Sequence, residues 1–462
     1  KYTPGAKPAE GTRAGRGVVN PGTFAFDQIG FRLGGPILKD KLFFFVSYES
    51  DQNDRPGTTF RANNGGEPVA GNVARTTKAS LDSLSTFLAT NFGYQTGPYQ
   101  DYNFGTPSSR LTAKVDYALS NRNKFSFRIT QLESETDVLM STSSSLGFGR
   151  GTPNGMGYAN SNYTILENIN SYVGEWNSLI TDRMSNQMII GFNKSDESRG
   201  AISNLFPFVD ILGGDIPGGG GQTYISFGSE PFTPNNELRY ESFQFQNNFT
   251  IYGDRHDLTF GLSVELYESE NVFFPGKQSA YVYNSLSDFY ADANAFITAC
   301  GTNQANWATC TAPTTSAAGV GPRRFQVRYS NIDGQVKPVQ PLEVNFSGVY
   351  MQDEWRVRSN LTVTSGLRID VASFGATGFE NTAVNSMNFR DENGNTVQYN
   401  TAALPKASPL FSPRVGFNYD LRGNGQTIIR GGTGVFTGRP AYVWVSNQIG
   451  NNGILTGFES RD

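Results

Sequence analysis

Apolar and polar residues alternate along this chain in runs that come in pairs, each pair folded on a short polar turn. From Ile29 to Ser50, IGFRLGGPILKDKLFFFVSYES, two runs flank Lys39-Asp40-Lys41. Alternation predicts strands, and two strands across a short polar link predict a hairpin. A second hairpin places Leu111, Ala113, Val115, Tyr117 and Leu119 on one face. It turns at Ser120-Asn121-Arg122-Asn123 and returns with Phe125, Phe127 and Ile129. A third runs from about Tyr163 to Asp196 and turns at Thr181-Asp182-Arg183. In the fourth, Phe243, Phe245, Phe249 and Ile251 oppose Gln244, Gln246, Asn248 and Thr250. After Gly253-Asp254-Arg255-His256 it returns with Leu258, Phe260, Leu262, Val264 and Leu266. The fifth spans Val349–Val371, with Leu361, Val363, Leu367 and Ile369 on one side. The sixth turns around Asn424-Gly425, a strong short-turn signal. A one-residue slip in the second hairpin would carry Lys114, Asp116 and Arg128 onto the apolar face, so register is strongly fixed.

Between hairpins the chain is polar, long and weakly periodic, as in 51–107, 197–238 and 271–342. The first of these holds one helix-like segment, Leu81–Leu88, and the tail 438–462 shows no clear strand. Links are thus short within hairpins and long between them. A soluble sandwich has no need of that asymmetry. A transmembrane barrel has it by construction, with short periplasmic turns and long outer loops. The predicted fold is all-β: an antiparallel up-and-down transmembrane β-barrel with twelve strands in view. On this reading Phe125, Phe127, Phe243, Phe245, Phe260, Leu262, Leu361 and Val363 face lipid. Their polar neighbours face the lumen. Asp353 shares the apolar side with Val349, Met351 and Trp355, which places it at the water interface.

Composition agrees. Of 462 residues, 35 are Phe, 21 Tyr and 52 Gly, and charged residues are 17%. That is a β-rich and turn-rich balance. A mean hydropathy of −0.40 and the lack of a long apolar run exclude helical membrane spans, but not strands whose alternation hides a lipid face. A net charge of −4 with both signs mixed gives no electrostatic support to nucleic-acid binding. The chain begins at Lys1 without an initiator Met or signal peptide, which for an exported protein reads as a mature or truncated chain. Cys300 and Cys310 bracket the polar stretch CGTNQANWATC. Such a pair fits a local disulfide in an oxidising compartment, with two free thiols as the other reading.

Three hairpins carry a family resemblance: GGPILKDKLFFFVSYES, VYMQDEWRVRSNLTVTSGLRIDV and FSPRVGFNYDLRGNGQTIIRGGTGVFTGR. In that order they resemble the barrel of TonB-dependent outer-membrane receptors of the Oar-like branch, over roughly residues 24–440. The resemblance implies a bacterial outer-membrane protein whose whole barrel has about 22 strands around a plug. Its partners would be outer-membrane lipid, the plug domain of the same protein, and an inner-membrane TonB-type energy-transducing complex reached through the N-terminal part. An unidentified extracellular substrate completes the set. Against that plan, residues 1–23 read as a connector from a plug region, 24–437 as the first part of the barrel, and 438–462 as the start of the next loop. The chain is expected to be an internal fragment without plug or C-terminal strands.

Candidate chemistry is thin. His256, the single histidine, reads as a solvated turn residue beside Asp257. One His and two Cys cannot build a usual zinc site, so neither a metal nor another cofactor is expected. Asp391-Glu392-Asn393-Gly394-Asn395 departs from a calcium loop in its glycine position and lacks a closing Glu, so it reads as a polar hairpin. Gly431-Gly432-Thr433-Gly434 lies in a strand and lacks the Lys-Ser/Thr pair of a phosphate loop. Lys114, Asp116, Arg128, Glu265, Arg368 and Asp370 read as plug-facing or hydrating lumen groups, and no enzyme is expected. Tyr48, Tyr172, Trp176, Tyr252, Trp355 and Tyr419, near strand ends, suit interface girdles or sugar-stacking platforms. Energised uptake is the leading function. A surface-binding or adhesive barrel using loops 51–107, 197–238 and 271–342 is the alternative. A soluble carbohydrate-active enzyme is disfavoured for want of a paired-carboxylate site.

Overall fold

The structure is a computed structural model and describes residues 22–150, 154–312, 319–375 and 378–462. Almost all of the connector expected at 1–23 lies outside the described residues. Twelve long strands form one antiparallel sheet in chain order. They are β1 (Ala25–Leu38), β2 (Leu42–Pro56), β3 (Asn103–Ser120), β4 (Asn123–Val138), β5 (Asn168–Thr181) and β6 (Met184–Asp196). The series continues with β7 (Glu237–Tyr252), β8 (His256–Val272), β9 (Val339–Arg358), β10 (Leu361–Phe374), β11 (Pro409–Asp420) and β12 (Ile428–Gly434). Among the described residues β1 pairs with β2 alone and β12 with β11 alone, so the sheet is open at both edges. The short turns sit where alternation placed them. Register follows the hydrophobic pattern, as where Phe249 pairs with Phe260 and Phe260 with Met351.

The two faces of the sheet differ in curvature as well as polarity. Lys124 of β4, Gln187 of β6, Thr250 of β7, Gln352 of β9 and Arg414 of β11 all border a single cleft of about 570 Å³. Residues seven strands apart can share a cleft only on a concave side, so the polar face is the inner one. On the convex side, Phe125, Phe127, Phe243, Phe260 and Leu262 are exposed, and Phe245, Leu361 and Val363 are half-buried among neighbours. Along β8 the outer positions Leu258, Phe260, Leu262, Val264 and Leu266 are followed by Glu268 and Glu270. At ~3.4 Å per residue the apolar part covers about 27 Å of strand, or about 20 Å of height at a ~40° tilt. Its upper limit is a row of ionisable residues paired in register across four strands: Lys194, Glu241, Glu268 and Glu343.

The long links are not loops in the expected sense. Strand β2 runs on to Pro56 and β3 starts at Asn103, so 51–107 shortens at both ends; β8 and β9 likewise shorten 271–342. What remains folds into a second layer over one rim. Its mixed sheet has the order Thr456–Arg461, Arg324–Ser330, Ala280–Tyr283, Phe208–Leu212, Thr223–Phe227, Met156–Gly157. The tail expected to lack a strand therefore supplies one, preceded by a helix, Tyr442–Gly450. Two further helices cover the sheet. α1 (Lys78–Phe92) extends well beyond the predicted Leu81–Leu88, capped by Thr77, which accepts from the Ser80 N–H, and closed by Gly93 at φ 63°. α2 (Leu286–Cys300) is capped by Ser285, which accepts from the Asp288 N–H. Leu81, Leu84 and Leu88 pack with Ile211, Ile225, Phe227 and Phe289 in one buried cluster. The wall is a single layer and buries little, so the principal core of the molecule lies in this cap.

Candidate functional site: the capped polar wall

The inner face of the sheet is built from side chains that satisfy one another along and across strands. Lys114 pairs with Asp116 at 2.7 Å, Arg368 with Asp370 at 2.7 Å and Arg110 with Asp51 at 3.2 Å. Gln187 donates to Glu175 at 2.8 Å and Gln244 to Glu265 at 3.1 Å. Long side chains also reach over an intervening strand wherever that strand offers a glycine. Tyr350 of β9 lies across Gly261 of β8, accepts from Gln246 Nε2 at 3.3 Å and donates to Asn248 on β7. Arg368 of β10 crosses Gly348 to donate to Ser263 at 2.6 Å, with its guanidinium 5.0 Å from the Tyr350 ring. Arg414 of β11 crosses Gly366 to donate to Gln352 at 3.0 Å. A Cβ at Gly261 would collide with the tyrosine ring, so this glycine is required by close approach. These bridges run along the sheet and keep its inner face polar.

The predicted lumen charges Lys114, Asp116, Arg368 and Asp370 thus meet in pairs, and Glu265 joins the segment that follows β12. Among the described residues no three or more His, Cys, Asp and Glu side chains gather to hold a metal ion. His256 is not a free turn residue. It opens β8, its Nδ1 lies 2.8 Å from Asp353, and its ring stacks on Trp355 at 5.6 Å. Asp391 accepts from the Asn393 and Asn395 N–H groups, closing the small hairpin Phe389–Arg390/Thr396–Val397. Gly431–Gly434 lies within β12. At the cap end of the wall, Asp27, Glu133 and Glu135 border a second cleft of about 730 Å³.

The cap holds the residues that sequence reasoning missed. Arg150 is buried and donates to the carbonyls of Ser141, Ser143, Leu146 and Phe148, and to Asp210 at 3.4 Å. Asp210 also accepts from Ser226 at 2.6 Å and from the Phe148 N–H at 2.6 Å. Burial pushes its carboxyl up to about 6, against the opposing pull of Arg150 and the two other donors. Tyr283 donates to Asp292 at 2.7 Å, and burial raises both groups. The signals were present: Phe208-Val209-Asp210-Ile211-Leu212 is a short apolar run, and apolar residues recur with helical spacing from Leu286 to Cys300. Cys300 and Cys310 are joined as a disulfide, with Cα atoms 5.6 Å apart. The loop they close lays Trp307 edge-on to Phe92 and Phe296, at 5.7 and 5.5 Å. Gln304 fastens it to α1 through a 2.7 Å bond to the Phe92 carbonyl.

A twelve-strand sheet with a polar concave side, an apolar convex side and all its long connections on one rim is matched by a family model described as an outer membrane beta barrel domain, over residues 9–459. The chain belongs to that family. It is a barrel domain of the bacterial outer membrane. No curated protein matches it in sequence. Among solved structures the barrel domain is similar to the outer membrane transporter YddB from Escherichia coli, with 13% identity and a TM-score of 0.53 over 95% of this chain and 41% of that one. It also matches the ferric yersiniabactin uptake receptor FyuA from Yersinia pestis, with 11% identity and a TM-score of 0.41 over 86% and 43%. The siderophore receptor PirA from Acinetobacter baumannii gives 12% identity and a TM-score of 0.39 over 88% and 40%. At such identities the likeness is one of fold, and the chain spans about two-fifths of the length of these structures.

Proposed function

We propose that the barrel domain is part of an outer-membrane receptor that takes up an extracellular substrate by energised, TonB-dependent transport, in the Oar-like branch of such receptors. The observation that carries this reading is the polar concave wall lying beneath an organised cap. The three hairpins that resemble the Oar-like barrels support it, and so does the fold shared with an outer membrane transporter. On this reading Phe125, Phe127, Phe243, Phe245, Phe260, Leu262, Leu361 and Val363 contact lipid, and the cap with its disulfide stands outside the cell. The plug of the same protein fills the concave side, and the inner-membrane complex acts through that plug. A full barrel of about 22 strands closes the two open edges.

The test uses the intact gene product in its own host. Cells should bind and accumulate substrate when the energy-transducing complex works, and should bind without accumulating when it is deleted. Binding that is indifferent to the complex, with no accumulation in either strain, would favour the surface-binding or adhesive barrel. Orientation has its own check: a membrane-impermeant reagent should reach a tag within 304–309 on intact cells and not one at 121–122.

A further inference from the structure

One polar side chain interrupts the apolar face at the middle of its span. Asn247 of β7 pairs in register with Met188 of β6 and with Leu262 of β8. Leu262 is the central outer apolar position of β8, so the Asn247 amide points outward at mid-belt. Its Nδ2 reaches only the Gln187 carbonyl, at 3.4 Å, and among the described residues its Oδ1 accepts no hydrogen bond. Hydrocarbon offers neither donor nor acceptor, so an amide left facing lipid there is unfavourable. Beside it lies a second feature that the fold does not require. Gly174 of β5 floors an apolar notch of about 340 Å³ whose sides include Phe127, Trp176, Met188 and Ile190. Gly174 is not in the left-handed region, and a Cβ there would meet no heavy atom within 4 Å. Gly261, by contrast, is demanded by the Tyr350 ring. A glycine inside a strand without such a demand marks a place of close approach from outside. Met188 joins the two features, since it borders the notch and pairs with Asn247.

We propose that this strip of the convex face, from the Gly174 notch to Asn247, is the contact by which two copies of the barrel pair within the membrane. The inference rests on the reading that the convex face meets lipid, and it is independent of what the barrel transports. In a membrane, polar side chains bond across interfaces and small residues let two backbones approach closely. Two upright barrels in one membrane pair about a two-fold axis along the membrane normal. Each residue on the line of contact then meets its own copy at the same depth. A polar group on that line must bond to itself. An amide can, because it donates through Nδ2 and accepts through Oδ1, whereas a carboxylate or an ammonium cannot. With the axis at β7, the notch on β5 is turned toward the second copy's β9, whose outer Val349 and Met351 are exposed. The strip stays open in a whole barrel. Strands β5 to β9 lie inside the sheet, away from both open edges, while a plug fills the concave side and the cap covers the rim.

The experiment uses the full-length protein in the outer membrane of its host. The native cysteines are paired, so Asn247→Cys supplies the reactive thiol. Oxidation by copper phenanthroline in the membrane should give a disulfide-linked dimer on a non-reducing gel. Phe417→Cys, on the outer face of β11, should stay monomeric under the same oxidation. In vesicles, with pairing read by energy transfer between labelled copies, Asn247→Leu and Gly174→Phe should each lower the dimer fraction several-fold. Asn247→Gln, which keeps an amide, should retain the dimer. Equal cross-linking at 247 and 417, or none at 247, overturns the proposal. So does a parent that stays monomeric in vesicles while Gly174→Phe releases a co-purified lipid, which would make the notch a lipid site. If Asn247→Cys lacks the heat-modifiable band of a folded barrel, Leu262→Cys, opposite it in register, takes its place. Failure of the lipid-face reading would look different: a membrane-impermeant maleimide would then label the thiol at 247, which a thiol in hydrocarbon escapes.

Discussion

The imidazole Nδ1 of His256 lies 2.8 Å from an Asp353 carboxylate oxygen on the neighbouring strand, and the imidazole stacks on Trp355 with the ring planes 9° apart. All three side chains are on the convex face, at the short-turn end of the apolar belt. Asp353 therefore has its compensating partner within the sheet. Replacing His256 by Ala removes the partner of Asp353 and, for a half-exposed pair, should cost about 0.2–1 kcal/mol. Adding Asp353→Asn should recover much of that loss, so a double-mutant cycle by urea unfolding in lipid vesicles should give a clear coupling energy. Additive effects would show that the contact carries no energy.

The Tyr350–Gly261 crossing should be as sensitive. Gly261→Ala places a methyl where the tyrosine ring lies, and overpacking of this kind typically costs about 1–3 kcal/mol. The double variant with Tyr350→Ala should be closer to wild type than Gly261→Ala alone. Unfolding midpoints of the three variants decide the point. A fully tolerated alanine would mean the ring has room to move.

The two faces should respond unequally to charge. Phe245→Arg on the convex side, at mid-strand, should cost about 2–4 kcal/mol in the bilayer, while Gln244→Arg on the concave side should cost far less. Equal costs in vesicle unfolding would reverse or abolish the assignment of lipid and lumen faces.

Asp210 gives the cap a pH dependence of defined sign. Its carboxyl is near 3.8 when unfolded and about 6 when buried, so the folded cap holds the proton more tightly. Its contribution is full below about pH 4 and is lost as pH rises through 6. Acidification from pH 7 to 5 should therefore strengthen the cap, by on the order of 1 kcal/mol. Asp292, also raised by burial, acts in the same direction. Glu67 acts oppositely at lower pH, because Arg61 holds its carboxyl down to about 2. Hydrogen exchange in Phe208–Leu212 should slow between pH 7 and 5 after correction for intrinsic rates, and Asp210→Asn should flatten the trend. Faster corrected exchange on acidification would contradict the burial argument.

The wall was legible because its information is local. Each hairpin repeats the same alternation, and adjacent strands follow one another in sequence, so register comes from pattern and turn together. The cap was hidden for the converse reason. Its strands are short and drawn from separate stretches, as where Phe208–Leu212 pairs in parallel with Ala280–Tyr283. Thr456–Arg461, TGFESR, lacks a strong alternating stripe and becomes a strand by pairing with Arg324–Ser330. The His256 contact was hidden because its partner Asp353 is distant in sequence and comes alongside only through the pairing of β8 with β9. The Leu286–Cys300 helix is a different case, since its spacing was readable and the surrounding polar stretch obscured it.

The cap sheet draws strands from the links after β4, β6 and β8 and from the chain after β12, while α1 comes from the link after β2. Surface loops of barrels ordinarily diverge one at a time, each free to lengthen or shorten as its own encounters select. Here an insertion in one link displaces a strand that three others pair or pack against. The links must therefore change together, inheriting compensated substitutions as a set. Transplanting a single loop into a related barrel should carry over neither its conformation nor its binding, whereas exchanging the whole cap should preserve both.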